Sequence, residues 1–222
     1  MCALNVRPMT TATASRIDRS FLRARMGSLL AVVPLGVWTV DHLWRNLAAF
    51  RGASAWQDEV TSHSHPLAFF LSSLLALVPL ALHTVWGIGR LASARPNNVR
   101  YGTFANLKYA VQRLSAIGIL LFLGAHLWLA TLHPRFVEGH PEPFDDIANQ
   151  MRHHGPTLTV YLLGTLGVAY HLANGLHSFA MGWGLVVSRR ALRKLDGVAV
   201  AIFLALLAMS WSAIYALWAA GA

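Results

Sequence analysis

Four histidines, His42, His83, His126 and His171, stand inside four separate apolar runs. An imidazole can ligate a metal, carry a proton near neutral pH, or sit in an apolar phase once its ring nitrogens are satisfied. One such ring in a membrane helix is ordinarily bonded to a neighbouring helix. One in each of four successive runs points to a shared task. Depth sorts the four into layers. Take the external helix ends as Arg51, Pro66, Pro134 and Pro156. At about 1.5 Å per residue, His42 lies ~14 Å and His126 ~12 Å below the outer surface, and His83 ~26 Å and His171 ~22 Å below it. Two facing imidazoles can take both axial positions of a haem iron, and helix bundles build cofactor sites from side chains on facing helices. The reading is two bis-histidine b-type haems, His42 with His126 in an outer layer and His83 with His171 in an inner one. A tetrahedral zinc would be short of ligands, because neither layer offers a Cys or a carboxylate apart from Asp41.

The elements that must position these rings are long and apolar. The chain has 222 residues, 55% hydrophobic and 12% charged, too apolar for an ordinary soluble domain. Spans are expected at about 26–50, 67–89, 111–133, 157–187 and 197–220, each close to the roughly 20 residues a helix needs to cross a bilayer. The expected fold is an all-α integral membrane protein, one membrane domain over 1–222, with five transmembrane helices enclosing two b-type haems. Pro34 and Pro79 interrupt the first two spans, and Gly36, Gly87, Gly118, Gly124, Gly164, Gly167 and Gly175 could leave room beside a flat macrocycle or simply let helices pack closely.

Charge sets the orientation. The net charge of +9 could suggest nucleic acid, but its distribution argues for a membrane. Arg7, Arg16, Arg19, Arg23 and Arg25 precede the first span; Arg90, Arg95, Arg100, Lys108 and Arg113 lie between the second and third; Arg189, Arg190, Arg193 and Lys194 lie between the fourth and fifth. Asp58, Glu59, Glu138, Glu142, Asp145 and Asp146 fall in the opposite connections. The positive-inside rule then places the N-terminal segment, residues 1–25, in the cytoplasm and the C-terminus outside. No cleavable signal peptide is expected, and Ala14–Met26 reads as a short basic amphipathic surface helix. Cys2 is the single cysteine, so neither a disulfide framework nor a covalent CxxCH haem attachment is expected. The Pro- and His-rich stretch His133–Pro156 is expected to pack over the outer mouth of the bundle.

Other side chains gain roles from the layers. Arg25, Ser28, Lys108 and Arg113, at inner helix ends, are candidates to pair with inner haem propionates, or snorkel to the interface. Asp41 could orient a histidine. His63, His65, His133, His140, His153 and His154 crowd the outer connections, where they could pass protons. His177 lies six residues beyond His171, about 240° round the helix and ~9 Å nearer the cytoplasm, so it cannot share that iron. It is either an interfacial ring or one near a propionate, and Asn174 is a nearby hydrogen-bonding candidate. Trp38, Trp44, Trp86 and Trp128 read as packing or interfacial residues.

Four stretches carry a family resemblance: "RMGSLLAVVPLGVWTVDHL" (Arg25–Leu43), "PLALHTVWGI" (Pro79–Ile88), "VQRLSAIGILLFLGAHLW" (Val111–Trp128) and "YHLANGLHSFAMGWG" (Tyr170–Gly184). With the spacing of Ser28, Pro34, Gly36 and His42, they resemble the single-subunit, five-helix, di-haem cytochrome b anchors of succinate:quinone oxidoreductases. The resemblance implies distal-haem ligands on helices one and three, His42 and His126, and proximal-haem ligands on helices two and four, His83 and His171. It implies a chain that does not itself oxidise succinate. Such a chain passes electrons between an iron–sulfur subunit and a quinone, usually menaquinone, with a flavoprotein carrying covalent FAD also docked on the cytoplasmic face. It implies a prokaryotic inner membrane. Asp41, beside the outer ligand, could then sit near the quinone pocket, and Asp58 and Glu59 stand where some relatives use a glutamate at the quinone site. Some fumarate-reducing relatives carry a glutamate two residues before the inner ligand, where this chain has Ala169, which puts that proton route in doubt.

Two other functions compete: a di-haem anchor of a hydrogenase or formate dehydrogenase, and a haem-free transporter using intramembrane histidines. Bc-type cytochromes place ligand pairs on shared helices, unlike the one-per-helix arrangement here. Orientation is tested directly by fusions: a reporter active only outside the membrane should work after Ala222 and fail after Arg95. The reverse pattern would overturn the five-span topology.

Overall fold

The computed structural model describes residues 19–61, 66–93 and 102–221, all helices and short connections. Cys2, Arg7, Arg16, His63, His65, Arg95 and Arg100 lie outside the described residues, as does the start of the expected surface helix. From Arg19 the chain is already helical and continuous with the first long helix, so the basic stretch up to Met26 is its extension rather than a separate surface element.

The first long helix covers residues 19–51. It widens into a π-type turn over Ala31–Gly36, around Pro34, and tightens into a 3-10 turn over Leu47–Arg51. Proline has no N–H to donate and its ring crowds the preceding turn, so a change of helical winding there is the expected response. The chain then turns through Gly52, whose φ of 98° suits a residue without Cβ, into a short segment ending at Thr61. The second long helix is Pro66–Ala92, with Pro79 inside it. The third begins at Phe104 behind a Thr103 cap, winds into π-type turns beyond Leu127, and runs to Glu138. A short helix, Phe144–His153, follows, then the fourth long helix, Gly155–Gly182. The fifth, Arg189–Ala220, is capped by Ser188, whose Oγ accepts from the Ala191 N–H at 3.2 Å.

Arg25–Arg51, Phe70–Ala92, Phe104–Glu138 and Arg189–Ala220 are long and apolar enough to cross a membrane. Gly155–Gly182 has 28 residues, a length of ~42 Å, but carries more Gly, Thr, Asn and His. Large apolar side chains such as Val37, Leu121, Leu163 and Leu204 point outward, as lipid-facing residues do. The closely packed interior is built from small ones: Gly164, Ala169 and Ala173 on the fourth helix, Ser210, Ala213 and Ala216 on the fifth. Small residues let helix backbones approach where lipid offers no hydrophobic drive for association. Polar side chains in these helices bond their own backbone: Thr39 donates to Leu35 O, Thr165 to Tyr161 O and Ser210 to Leu206 O, each at 2.7 Å.

The apolar core lies toward one end. Phe144, Ile147, Ala148 and Met151 of the short helix pack with Ala48, Ala49, Trp56, Phe122, Tyr161, Ile214 and Leu217. The stretch His133–Pro156, read as a long connection, is therefore mostly helical and lies over the bundle. The middle of the bundle holds a cavity instead. Phe122 is placed by Gly164, because a Cβ there would occupy the space of the Phe122 ring, whereas Gly118 and Gly124 face open space. Gly164→Ala should lower the stability of the assembled protein by about 1–3 kcal/mol, while Gly118→Ala should leave it level or slightly higher. Thermal unfolding of the two variants side by side checks this; equal loss in both would contradict the packing described.

Candidate functional site

The four long helices that bear the intramembrane histidines bring them together in two pairs. The rings of His42 and His126 lie 5.9 Å apart, centroid to centroid, at 75° to each other. Those of His83 and His171 lie 6.3 Å apart at 77°. An imidazole nitrogen bonds a metal at about 2 Å and lies ~1 Å from its ring centre, so two imidazoles on one metal put their centroids ~6 Å apart. Both pairs have that spacing. No group of three or more His, Cys, Asp and Glu side chains converges on a metal-sized point among the described residues, and each layer presents two imidazoles.

The remaining ring nitrogens are held from behind. His83 Nδ1 donates to the Gly27 carbonyl at 2.9 Å, which leaves Nε2 with its lone pair. His171 Nδ1 is hydrogen-bonded to Ser115 Oγ at 3.1 Å, and His126 Nδ1 to the Tyr161 hydroxyl at 3.1 Å. Gln112 donates to the His171 carbonyl at 3.1 Å and accepts from Asn174 at 2.8 Å, tying the third helix to the fourth beside this ring. His42 is held differently. Trp38 stacks on it at 4.8 Å and 8°, and the Asn46 amide donates to its carbonyl at 2.8 Å while lying 3.4 Å from Nε2. Phe122 stacks on His126 at 5.5 Å, which connects the outer pair to the Gly164 notch.

All four histidines line one cavity of 1510 Å³, beyond the ~300–1,000 Å³ of ordinary ligand pockets. Gly36, Gly87 and Gly175 lie on its wall; Gly118, Gly124, Gly164 and Gly167 do not. Its walls are mainly apolar, with charged side chains toward the two ends. A cavity of this size with two imidazole pairs at metal-bridging spacing suits two flat macrocycles. Arg113 suits their acidic edges: it lines the cavity, its guanidinium lies 3.4 Å over the Tyr109 ring, and its Nε is buried with no hydrogen-bond partner among the described residues.

The other sequence candidates fall into two groups. At the inner end, Arg25 Nε donates to the Gly182 carbonyl, and Ser28 Oγ donates to Arg25 O at 2.6 Å and accepts from Trp183 Nε1 at 3.3 Å. Lys108 Nζ lies 3.2 Å from Asp196 Oδ1, and His177 Nε2 lies 3.0 Å from the same oxygen. His177 is buried, so Asp196 of the fifth helix gathers a side chain from the third and one from the fourth. At the outer end, Asp41 pairs with Arg45 at 2.7 Å and Glu59 with Arg51. Asp41 and Glu59 line the cavity; Asp58 is exposed and lies outside its lining.

Several residues here were not singled out from the sequence. Ser115 and Gln112 were visible as polar residues three apart on one face of an apolar run. Tyr161 carried a weaker signal, and the Gly27 carbonyl none, because a backbone acceptor has no side-chain signature. Asp196 and Glu142 read as ordinary loop or helix-end charges.

Comparison with known proteins bears on this geometry. Residues 95–210 match the family described as succinate dehydrogenase/fumarate reductase transmembrane subunit. The chain is 32% identical over 200 residues to the succinate dehydrogenase cytochrome b558 subunit of Bacillus subtilis (strain 168), covering 90% of this chain and 98% of that one. With several long apolar helices and a match across most of its length, the chain is a multi-pass membrane protein and belongs to the succinate dehydrogenase/fumarate reductase transmembrane subunit family.

Proposed function

We propose that this chain is the five-span, di-haem membrane anchor of a succinate dehydrogenase or fumarate reductase. In this reading it passes electrons between the iron–sulfur subunit and a quinone, with menaquinone the expected species. The observation that carries it is the pair of near-perpendicular imidazole pairs at 5.9 and 6.3 Å on one cavity wall. His42 and His126 are assigned to the outer haem b, His83 and His171 to the inner one. The relative's designation as a cytochrome b558 subunit supports haem b. Of the three functions weighed from the sequence, the family match favours this one over a hydrogenase or formate dehydrogenase anchor and over a transporter.

The division of labour follows from the contacts. The haems would supply one-electron carriers at two depths. The Gly27 carbonyl, Ser115 and Tyr161 fix ring orientation and leave the opposite nitrogen free to ligate. Arg113 offers a buried, unpaired Nε for a propionate, and Arg25 and Ser28 line the same cavity. Lys108 and His177 are tied to Asp196, so they act on the inner rim together. The basic inner ends face the cytoplasm, where the flavoprotein and iron–sulfur subunits would dock. The quinone is assigned to the outer end of the cavity, near His42, Asp41 and Glu59.

The ligand assignment has a specific signature in the purified complex. His83→Ala and His171→Ala should each remove one low-spin haem species, His42→Ala and His126→Ala the other, and His177→Ala should retain both. Loss of a haem in His177→Ala with retention in His171→Ala would reverse the assignment. The quinone assignment is checked by rates. His42→Ala should abolish succinate–quinone activity and leave succinate oxidation by a soluble dye, which takes electrons from the cytoplasmic subunits, largely intact. Quinone activity that survives loss of the outer haem would move the working site to the cytoplasmic side.

A further inference from the structure

Glu142 stands apart from every other acidic residue described. It sits in the connection between the third long helix and the short helix Phe144–His153, yet its side chain is buried, with only 4% of the residue exposed. Its Oε1 has no hydrogen-bond partner among the described residues. Burying a carboxyl without a partner for its oxygen costs about 1–3 kcal/mol, more if it is charged, so such a group calls for an explanation. The backbone beside it is pinned, since its carbonyl accepts from Gln57 Nε2 at 3.1 Å and the next-but-one N–H, of Phe144, donates to Gln57 Oε1 at 3.1 Å. The stretch of chain from which the carboxyl projects is therefore fixed.

Its position explains what it could do. Glu142 lines the large histidine-bearing cavity, and it also lines a second, smaller pocket of 300 Å³. Beside Trp128 and Leu129, that second pocket is lined by the polar residues His133, Glu138, Asp146, Asn149 and Gln150. His133 lies 3.3 Å from Glu138, and His140, outside the pocket lining, lies 3.7 Å from the same carboxylate. One titratable side chain thus separates a polar outer pocket from the outer end of the cavity.

We propose that Glu142 is the proton carrier between the outer polar pocket and a quinone bound at the outer end of the cavity. The inference rests on the outer quinone assignment above. Reducing a quinone to a quinol takes two electrons, supplied by succinate oxidation in the partner subunits, and two protons. For each proton, the Glu142 carboxylate takes one from a hydronium ion reaching it through the outer pocket: an O–H bond forms on the carboxyl as one breaks on the hydronium, which leaves as water. Glu142 then gives that proton to a reduced quinone oxygen and returns to the carboxylate. In quinol oxidation the same transfers run in reverse, and the quinol O–H bond breaks toward Glu142.

The surroundings suit that task. Burial raises the Glu142 carboxyl, and the Asp146 and Glu138 charges raise it further; His140 and Arg135 pull the other way, and the result is about 7. A carrier is most effective when it titrates near the working pH. Tyr161 on the fourth helix and Arg135, both lining the large cavity, are close enough to interact electrostatically with Glu142.

The test uses the intact complex, with succinate–quinone activity divided by succinate–dye activity at each pH, so that effects on the flavoprotein cancel. In the wild type the ratio should fall as pH rises through about 7, because the carboxyl must hold a proton to deliver it. Glu142→Gln, with both haems retained, should lower the ratio about tenfold or more and flatten that dependence; Glu142→Asp should restore part of it. Asp146→Asn, at an exposed position, removes a charge that raises Glu142, and should move the midpoint to lower pH. A Glu142→Gln ratio and pH profile equal to wild type, or an unmoved midpoint in Asp146→Asn, would overturn the proposal. In the first of these cases, loss of quinone activity in His42→Ala would leave the outer quinone assignment standing, whereas retained activity there would remove the assignment itself.

Discussion

A histidine in a membrane span has two ring nitrogens to satisfy and no water with which to do it. Three of the four imidazoles meet that constraint alike: a protein oxygen is hydrogen-bonded to Nδ1, and the ring lies 5.9 or 6.3 Å, centroid to centroid, from an imidazole on another helix. Much of the bundle's interior follows. Ser115 must stand on the third helix opposite His171, Tyr161 on the fourth opposite His126, and the first helix must bring the Gly27 carbonyl to His83. The small residues that let helices approach and the notch at Gly164 that receives Phe122 serve the same end, since Phe122 is the ring on which His126 lies.

The two ends of the cavity are built for different chemistry. At the inner end the charges are basic and mostly engaged: Lys108 and His177 share Asp196, and Arg25 bonds a backbone carbonyl. Arg113 remains with an unpaired, buried nitrogen, suited to an acidic group presented from within the cavity. At the outer end the apolar core closes the bundle beneath the short helix Phe144–His153, and the acidic residues gather there. Glu142 belongs to that end, and its buried carboxyl contrasts with the exposed pair of Asp41 and Arg45.

Much of this was legible from residues alone, because the governing signals are one-dimensional. Apolar run length marks helices, helical rise converts position into depth, and basic residues cluster on one side. Equal depth grouped His42 with His126 and His83 with His171, and those are the rings that lie side by side in the structure. Their role as ligands remains the proposal that grouping supports. What stayed hidden depended on contacts between helices far apart in sequence. Lys108 read as a propionate partner or a snorkelling side chain, and only the fold brings Asp196, 88 residues away, beside it. The Gly27 carbonyl is invisible in any side-chain pattern. Glu142 looked like one acid among several, and only the fold shows that it alone among them is buried. The stretch His133–Pro156 reads as a connection because Pro and His are frequent in it, yet the amphipathic pattern of Phe144, Ile147, Ala148 and Met151 makes a helix once the bundle end is there to receive it.

The most direct measurement is the haem and flavin content of the intact purified complex, read with its reduced-minus-oxidised visible spectrum. Two haems b per flavin, with the spectrum of bis-histidine low-spin iron, are expected. One haem per flavin, or none, would contradict the assignment of both imidazole pairs as axial ligands.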